Sequence, residues 1–77
     1  MFSRDIFSER IRQLRLSKNL KQSNIAELLG VTVTQISDIE RGRRTTTVEN
    51  LVSLADYFDV SIDYITGRSD NPKSHKN

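Results

Sequence analysis

The chain reads as an all-α domain of five short helices, and three observations carry that reading. Apolar residues recur with a helical period near both ends: Phe7, Ile11 and Leu14 at i, i+4, i+7, and Leu51, Leu54, Ala55 and Phe58 at i, i+3, i+4, i+7. Asn19, Gly30, Gly42 and Gly67 punctuate the chain, and both residue types tolerate the left-handed backbone that ends helices. No stretch reads as a strand, and there is no internal repeat.

In order, the first helix opens at Ser3 or Asp5, either of which can cap it, and stops at Asn19. Leu20 then packs inward. Residues 22–29 make a second helix with Ile25, Ala26 and Leu29 on its inner face; Gly30 breaks it, and Val31 turns back to the core. Thr32 caps a third helix carrying Ile36 and Ile39, which Gly42 ends. Thr45, Thr46 and Thr47 form a connector, and Thr46 with Glu49 reads as a capping box opening the fourth helix. Ser61 caps a last helix over residues 62–66, closed by Gly67. The second and third helices are too short to rest on period alone. The domain is therefore expected to span residues 1–67, followed by a disordered polar tail at 68–77, which holds nothing to bury.

Composition narrows the function classes. Seventy-seven residues make one small domain with a modest core. The length is expected to leave no room for an appended self-cleaving or dimerising domain. With 35% hydrophobic and 29% charged residues the chain belongs with globular rather than disordered proteins. It has no cysteine, so neither a disulfide nor a thiolate-held zinc is available. It has no signal-peptide or transmembrane run, so a cytoplasmic location without membrane contact is expected. A phosphate-binding glycine loop, a metalloprotease helix and a Cys/His cluster are all missing, and the one histidine, His75, falls in the tail. No enzyme activity, metal, cofactor or small-molecule ligand is expected.

The net charge of +2 hides a polarity. Residues 1–44 hold nine Lys or Arg against five acids, while residues 45–67 hold none against four. Such a distribution suits a polyanion on one side and something else on the other.

The second and third helices together carry the motif. Counted from Gln22, the fifth residue is Ala26, the ninth Gly30, the fifteenth Ile36 and the eighteenth Ile39. Two helices joined by a tight turn approach closely, so their contact residue must be small, and Ala26 is. The turn needs a positive φ, which glycine adopts without a Cβ clash. Val31, Ile36 and Ile39 anchor the third helix, leaving Val33, Thr34, Ser37 and Asp38 outward. A helix so held can enter a DNA major groove.

The run LKQSNIAELLGVTVTQISDIERGRR resembles the helix-turn-helix of the lambda-repressor and Cro type, the XRE family of transcriptional regulators. The likeness extends over about residues 7–67, including FSERIRQLR before the motif and LVSLADYFDVSIDYITG after it. Two positions depart from the family's habit: Lys21 stands where a capping Thr is common, and Thr46 where a Pro is common. The resemblance implies a lambda-repressor-like five-helix fold. It also implies a sequence-specific regulator that binds double-stranded DNA in association with the nucleoid, most simply a repressor on a palindromic operator. It implies that Gln22 bonds a phosphate, with Lys21 beside it, and that Val33, Thr34, Ser37 and Asp38 read bases. Arg41, Arg43 and Arg44 would grip the backbone, and Arg15 with Glu40 would form a salt bridge between the first and third helices. Antitoxins and restriction–modification controllers share this chemistry.

The stretch Val60-Ser61-Ile62-Asp63-Tyr64-Ile65 holds more apolar residues than one short helix can turn inward. Val60 and Ile65 suit the core, which leaves Ile62 and Tyr64 for a homodimer contact, where the resembling repressors also meet their partners. A different class stays open: a protein-interaction module docking through the acidic half, residues 49–63.

Overall fold

The computed structural model describes residues 3–73, which form five helices: α1 (Arg4–Ser17), α2 (Gln22–Leu29), α3 (Val33–Glu40), α4 (Val48–Phe58) and α5 (Ile62–Ile65), with no strand among the described residues. Each helix starts for a local reason. Ser3 is extended and its Oγ accepts from the Ile6 N–H at 3.3 Å, while Asp5 places negative charge in the first turn of α1. Thr32 and Gln35 form a reciprocal capping box at α3: Thr32 Oγ1 accepts from Gln35 N at 3.1 Å, and Gln35 Oε1 accepts from Thr32 N at 3.0 Å. Ser61 Oγ accepts from Tyr64 N at 3.0 Å.

The start of α4 corrects the expected capping box of Thr46 with Glu49. Thr47 is the cap: it is extended, and its Oγ1 accepts from Asn50 N at 3.2 Å. The first bond of the helix runs from Leu51 N to the Thr47 carbonyl at 2.9 Å, so the helix begins one residue later than Thr46 requires. Glu49 remains in the first turn, where its charge suits the positive helix end.

One core collects a few residues from every helix: Phe7 and Ile11 of α1, Ile25 and Ala26 of α2, Ile36 and Ile39 of α3, Leu54, Ala55 and Phe58 of α4, then Val60 and Ile65. Leu14, Leu20, Leu29, Val31, Leu51 and Tyr64 pack around it, half-buried. Helix α1 lies against α3 and α5, α2 against α3, and α4 against α5. The pairing of α2 with α3 turns on Gly30, whose φ of +69° is costly for a residue with a Cβ even though the space around it is open. Gly67 is constrained twice. Its φ is +83°, and an added Cβ would fall 3.1 Å from the Ile6 side chain.

Beyond Gly67 the polar segment folds back on the body instead of leaving it. Arg68 N and Ser69 N donate to the Asp63 carbonyl at 2.8 and 3.1 Å, and Ser61 N donates to the Pro72 carbonyl at 3.1 Å. Arg10 of α1 donates through Nη1 to the carbonyls of Tyr64 and Ser69 and through Nη2 to the Asp70 carboxylate. Backbone acceptors, which composition does not reveal, hold residues 68–73 in place of apolar burial. The rest of the expected tail, including His75, lies outside the described residues. No helix among the described residues is long and apolar enough to cross a membrane.

Candidate nucleic-acid interface

Helix α3 is pinned by its apolar side and offers its other side to solvent. Ile36 and Ile39 are buried, and about a half-turn away Val33 and Thr34 are exposed and Ser37 and Asp38 half-buried. Val33 keeps 46% of its surface exposed, a β-branched apolar side chain held in water at the start of a helix. That start is rigid, because the capping box fixes it. Gln35 lies on the same helix but spends its amide oxygen on the Thr32 N–H, so it is a capping residue. The pattern Thr-x-x-Gln was visible in the sequence and signals this role.

Exposed cations accompany the face. Arg41, Arg43 and Arg44 are exposed in the loop that leaves α3. The Gly42 backbone rests on the first turn of α1, with Asp5 Oδ1 and Ser8 Oγ about a van der Waals contact from where a Cβ would sit. Arg4, which sequence reasoning counted only as charge, borders the same shallow groove with Ser3, Asp5 and Thr45. Lys21 is exposed at the start of α2, whose first residue, Gln22, reaches the end of α3. A lysine has no acceptor, so it cannot cap with its side chain. Asn24 Oδ1 instead accepts from the Lys21 backbone N–H at 2.8 Å, and the lysine's charge stays in solvent.

Behind the face lies a buried ion pair. Arg15 Nε reaches Glu40 Oε2 at 2.7 Å and Nη2 reaches Oε1 at 2.9 Å, with the side chains 12% and 4% exposed. Arg15 Nη1 also donates to the Leu20 carbonyl at 2.9 Å. One side chain thus ties α1 to the end of α3 and to the chain entering α2. Its hydrogen bond to Glu40, opposed by desolvation and helped by the carboxylate's charge, raises the Arg15 pKa above its ordinary value. Gln22 joins the cluster through Nε2, which donates to Glu40 Oε1 at 3.2 Å.

The remaining sites lie on another side of the core. Ile62 is 40% exposed, and Tyr64 is half-buried with the Arg10 guanidinium 4.1 Å from its ring centre. Arg10 is therefore committed to Tyr64 and the segment after Gly67, away from any role on the α3 face. Among the described residues no group of three or more His, Cys, Asp or Glu could hold a metal ion.

A helix held by its core side, with a second helix packed against it across a tight turn, is the arrangement of a helix-turn-helix. The family model described as helix-turn-helix (HTH_3) matches residues 11–65, and the chain belongs to that family. The HTH-type transcriptional regulator YobD of Bacillus subtilis is 34% identical over 67 residues, covering 87% of this chain and 60% of YobD. The chain thus spans about three-fifths of that relative's length. Among solved structures, the P22 c2 repressor in complex with a synthetic operator superposes with a TM-score of 0.75 at 30% identity, covering 82% of this chain and 96% of that one. The restriction-modification controller protein C.AhdI from Aeromonas hydrophila gives a TM-score of 0.70 at 31% identity, covering 80% and 94%. The five-helix lambda-repressor-like fold, with α2 and α3 as the helix-turn-helix, is the fold of these proteins.

Proposed function

We propose that this domain is a homodimeric repressor that binds a two-fold-symmetric operator through the major groove and acts by occluding a promoter. The observation that carries the reading is the α3 face, on which Val33 and Thr34 are exposed and Ser37 and Asp38 half-buried, accompanied by exposed Lys21 and, in the loop after α3, exposed Arg41, Arg43 and Arg44. The two sets suit two tasks. Val33 and the Thr34 methyl can meet a thymine methyl, Ser37 can bond several bases, and the Asp38 carboxylate can accept from a cytosine amino group. The exposed cations and the start of α2 suit phosphates, which set register and carry no sequence information. The P22 c2 repressor, whose structure holds an operator, supports the assignment by its likeness. No cofactor or small-molecule ligand enters the scheme, and the working location is the bacterial or phage DNA of the cytoplasm.

Selection of bound duplexes from a random pool by the purified protein tests binding, base preference and symmetry at once. Enrichment of an inverted repeat is expected, with affinity falling on the order of 10³-fold or more between 50 and 200 mM salt for ~6–10 phosphate contacts. No enrichment and a flat salt response would favour an adaptor docking through its acidic half instead.

A further inference from the structure

We infer that Glu40 is a positioning residue for Gln22, holding the glutamine amide ready for the DNA backbone. The inference rests on the proposed Gln22–phosphate contact and goes beyond it, because Glu40 itself touches no DNA in this scheme. The geometry is specific. Glu40 Oε1 accepts from two donors, Arg15 Nη2 at 2.9 Å and Gln22 Nε2 at 3.2 Å. An ionised carboxylate only accepts, so it must face the NH2 end of the amide and never the oxygen. The link therefore fixes which way the Gln22 amide points. It consumes one of the two amide hydrogens and leaves the other for an anion. A carboxylate this near a phosphate would ordinarily repel it. Here Arg15 neutralises Glu40 through two hydrogen bonds, and the Glu40 side chain is 96% withdrawn from solvent. The pair can hold Gln22 without presenting a negative charge to DNA. Gln22 is the first residue of α2, the end at which helix N–H groups lack partners within the helix.

An unanchored glutamine would have to be ordered on binding, at a cost equivalent to about two- to tenfold in affinity. The test is a double-mutant cycle on the full chain with Glu40→Gln, Gln22→Ala and both together. Affinity is measured at fixed salt on the selected duplex and on a random duplex of equal length, below the melting temperature of every variant. Glu40→Gln is expected to weaken binding about two- to tenfold on both duplexes. In the Gln22→Ala background the same change is expected to cost nothing further. Equal losses in both backgrounds overturn the proposal and leave the DNA reading standing, since Glu40 would then act only through its brace to α1. No loss from Gln22→Ala overturns the proposal together with the phosphate contact. Should Glu40→Gln fold poorly, Gln22→Asn leaves the buried pair intact and draws the amide back by one methylene. It is expected to bind as weakly as Gln22→Ala, and wild-type affinity overturns the proposal. In the free protein, the Gln22 side-chain NH2 proton that faces Glu40 is expected to lie downfield of its ordinary NMR shift and to move back toward it in Glu40→Gln; unchanged signals overturn it as well.

Discussion

The guanidinium of Arg15 and the carboxylate of Glu40 meet through two parallel hydrogen bonds, 2.7 and 2.9 Å long, across 25 residues of sequence. Arg15 spends its remaining Nη1 on the Leu20 carbonyl, so the end of α1, the entry to α2 and the end of α3 converge on one side chain. Nothing in that convergence touches the outward face of α3. It fixes where α3 sits, and through Gln22 it reaches the start of α2.

Removing Arg15 should therefore show as lost stability before altered specificity. Arg15→Ala leaves Glu40 buried without its counter-charge, which typically costs roughly 3–5 kcal/mol. For a domain of this size, whose whole stability is on the order of 4–12 kcal/mol, the melting temperature should fall by more than about 10 °C. Replacing both partners by apolar residues, Arg15→Met with Glu40→Leu, should recover much of the loss, because no charge is then left buried alone. Thermal melts monitored by circular dichroism decide it. A variant with native melting and a changed operator would contradict the structural role.

Base reading is assigned to Thr34 and Ser37, which lie outward near the capped start of α3. Replacing either by Ala should cost ~1–3 kcal/mol on the preferred duplex and relax preference at one or two base pairs. Neither side chain is buried, so melting should hardly change. Competition binding against single-base variants of the selected site measures both effects. Uniform weakening on every duplex would make these residues backbone contacts.

How much of this was legible in the sequence depends on how local the deciding interaction is. The bounds of α2 could be read because Gln22 opens the eight-residue helix and Gly30 follows it, and the positive φ at Gly30 is a local demand. The α4 start was missed by one residue. Three successive threonines offer equivalent hydroxyls, and only the folded backbone picks Thr47, where the Leu51 N–H finds its carbonyl. The outer face of α3 followed from where Ile36 and Ile39 had to go. The place of Arg10 could not follow from any pattern. Its partners, the Tyr64 carbonyl, Ser69 and Asp70, lie 54 to 60 residues away, and two of the three contacts are to backbone oxygens, which every residue type supplies. For the same reason the segment after Gly67 looked free.

The arginine loop makes a prediction of a different kind. Arg43 and Arg44 are exposed beside the α3 face and make no ion pair shown for the described residues. Arg43→Ala and Arg44→Ala should each weaken binding on all duplexes alike and lower the slope of log affinity against log salt by about one. Specificity ratios should stay put, since phosphates carry no sequence. Titrations at four or five salt concentrations give the slope. An unchanged slope would mean that the loop does not meet the backbone.

Dimerisation through α5 is the last prediction, and it follows from how little one α3 can read. A single recognition helix covers a few base pairs, too few to define one site in a genome. Two copies on half-sites about one helical turn, ~34 Å, apart solve this, and a two-fold operator mirrors a two-fold protein. The chain must then supply a contact surface away from the groove. Ile62, 40% exposed on a one-turn helix, is an apolar side chain with no core to join, while Val60 and Ile65 on either side of it are buried. Tyr64, two residues further on, has one ring face under Arg10, at 4.1 Å, so the residue is already ordered before any partner arrives. A pre-ordered aromatic loses little freedom on binding and suits an interface. The test replaces Tyr64→Ala together with Ile62→Ser and compares one half-site with the full inverted repeat. Half-site affinity should be nearly intact, and full-site affinity should drop by more than about tenfold. Because Tyr64 also packs against the core and carries the Arg10 contact, a melting curve accompanies the measurement. Equal losses on both duplexes would mean that the two residues serve the monomer's fold, and the partner contact would have to lie on another surface.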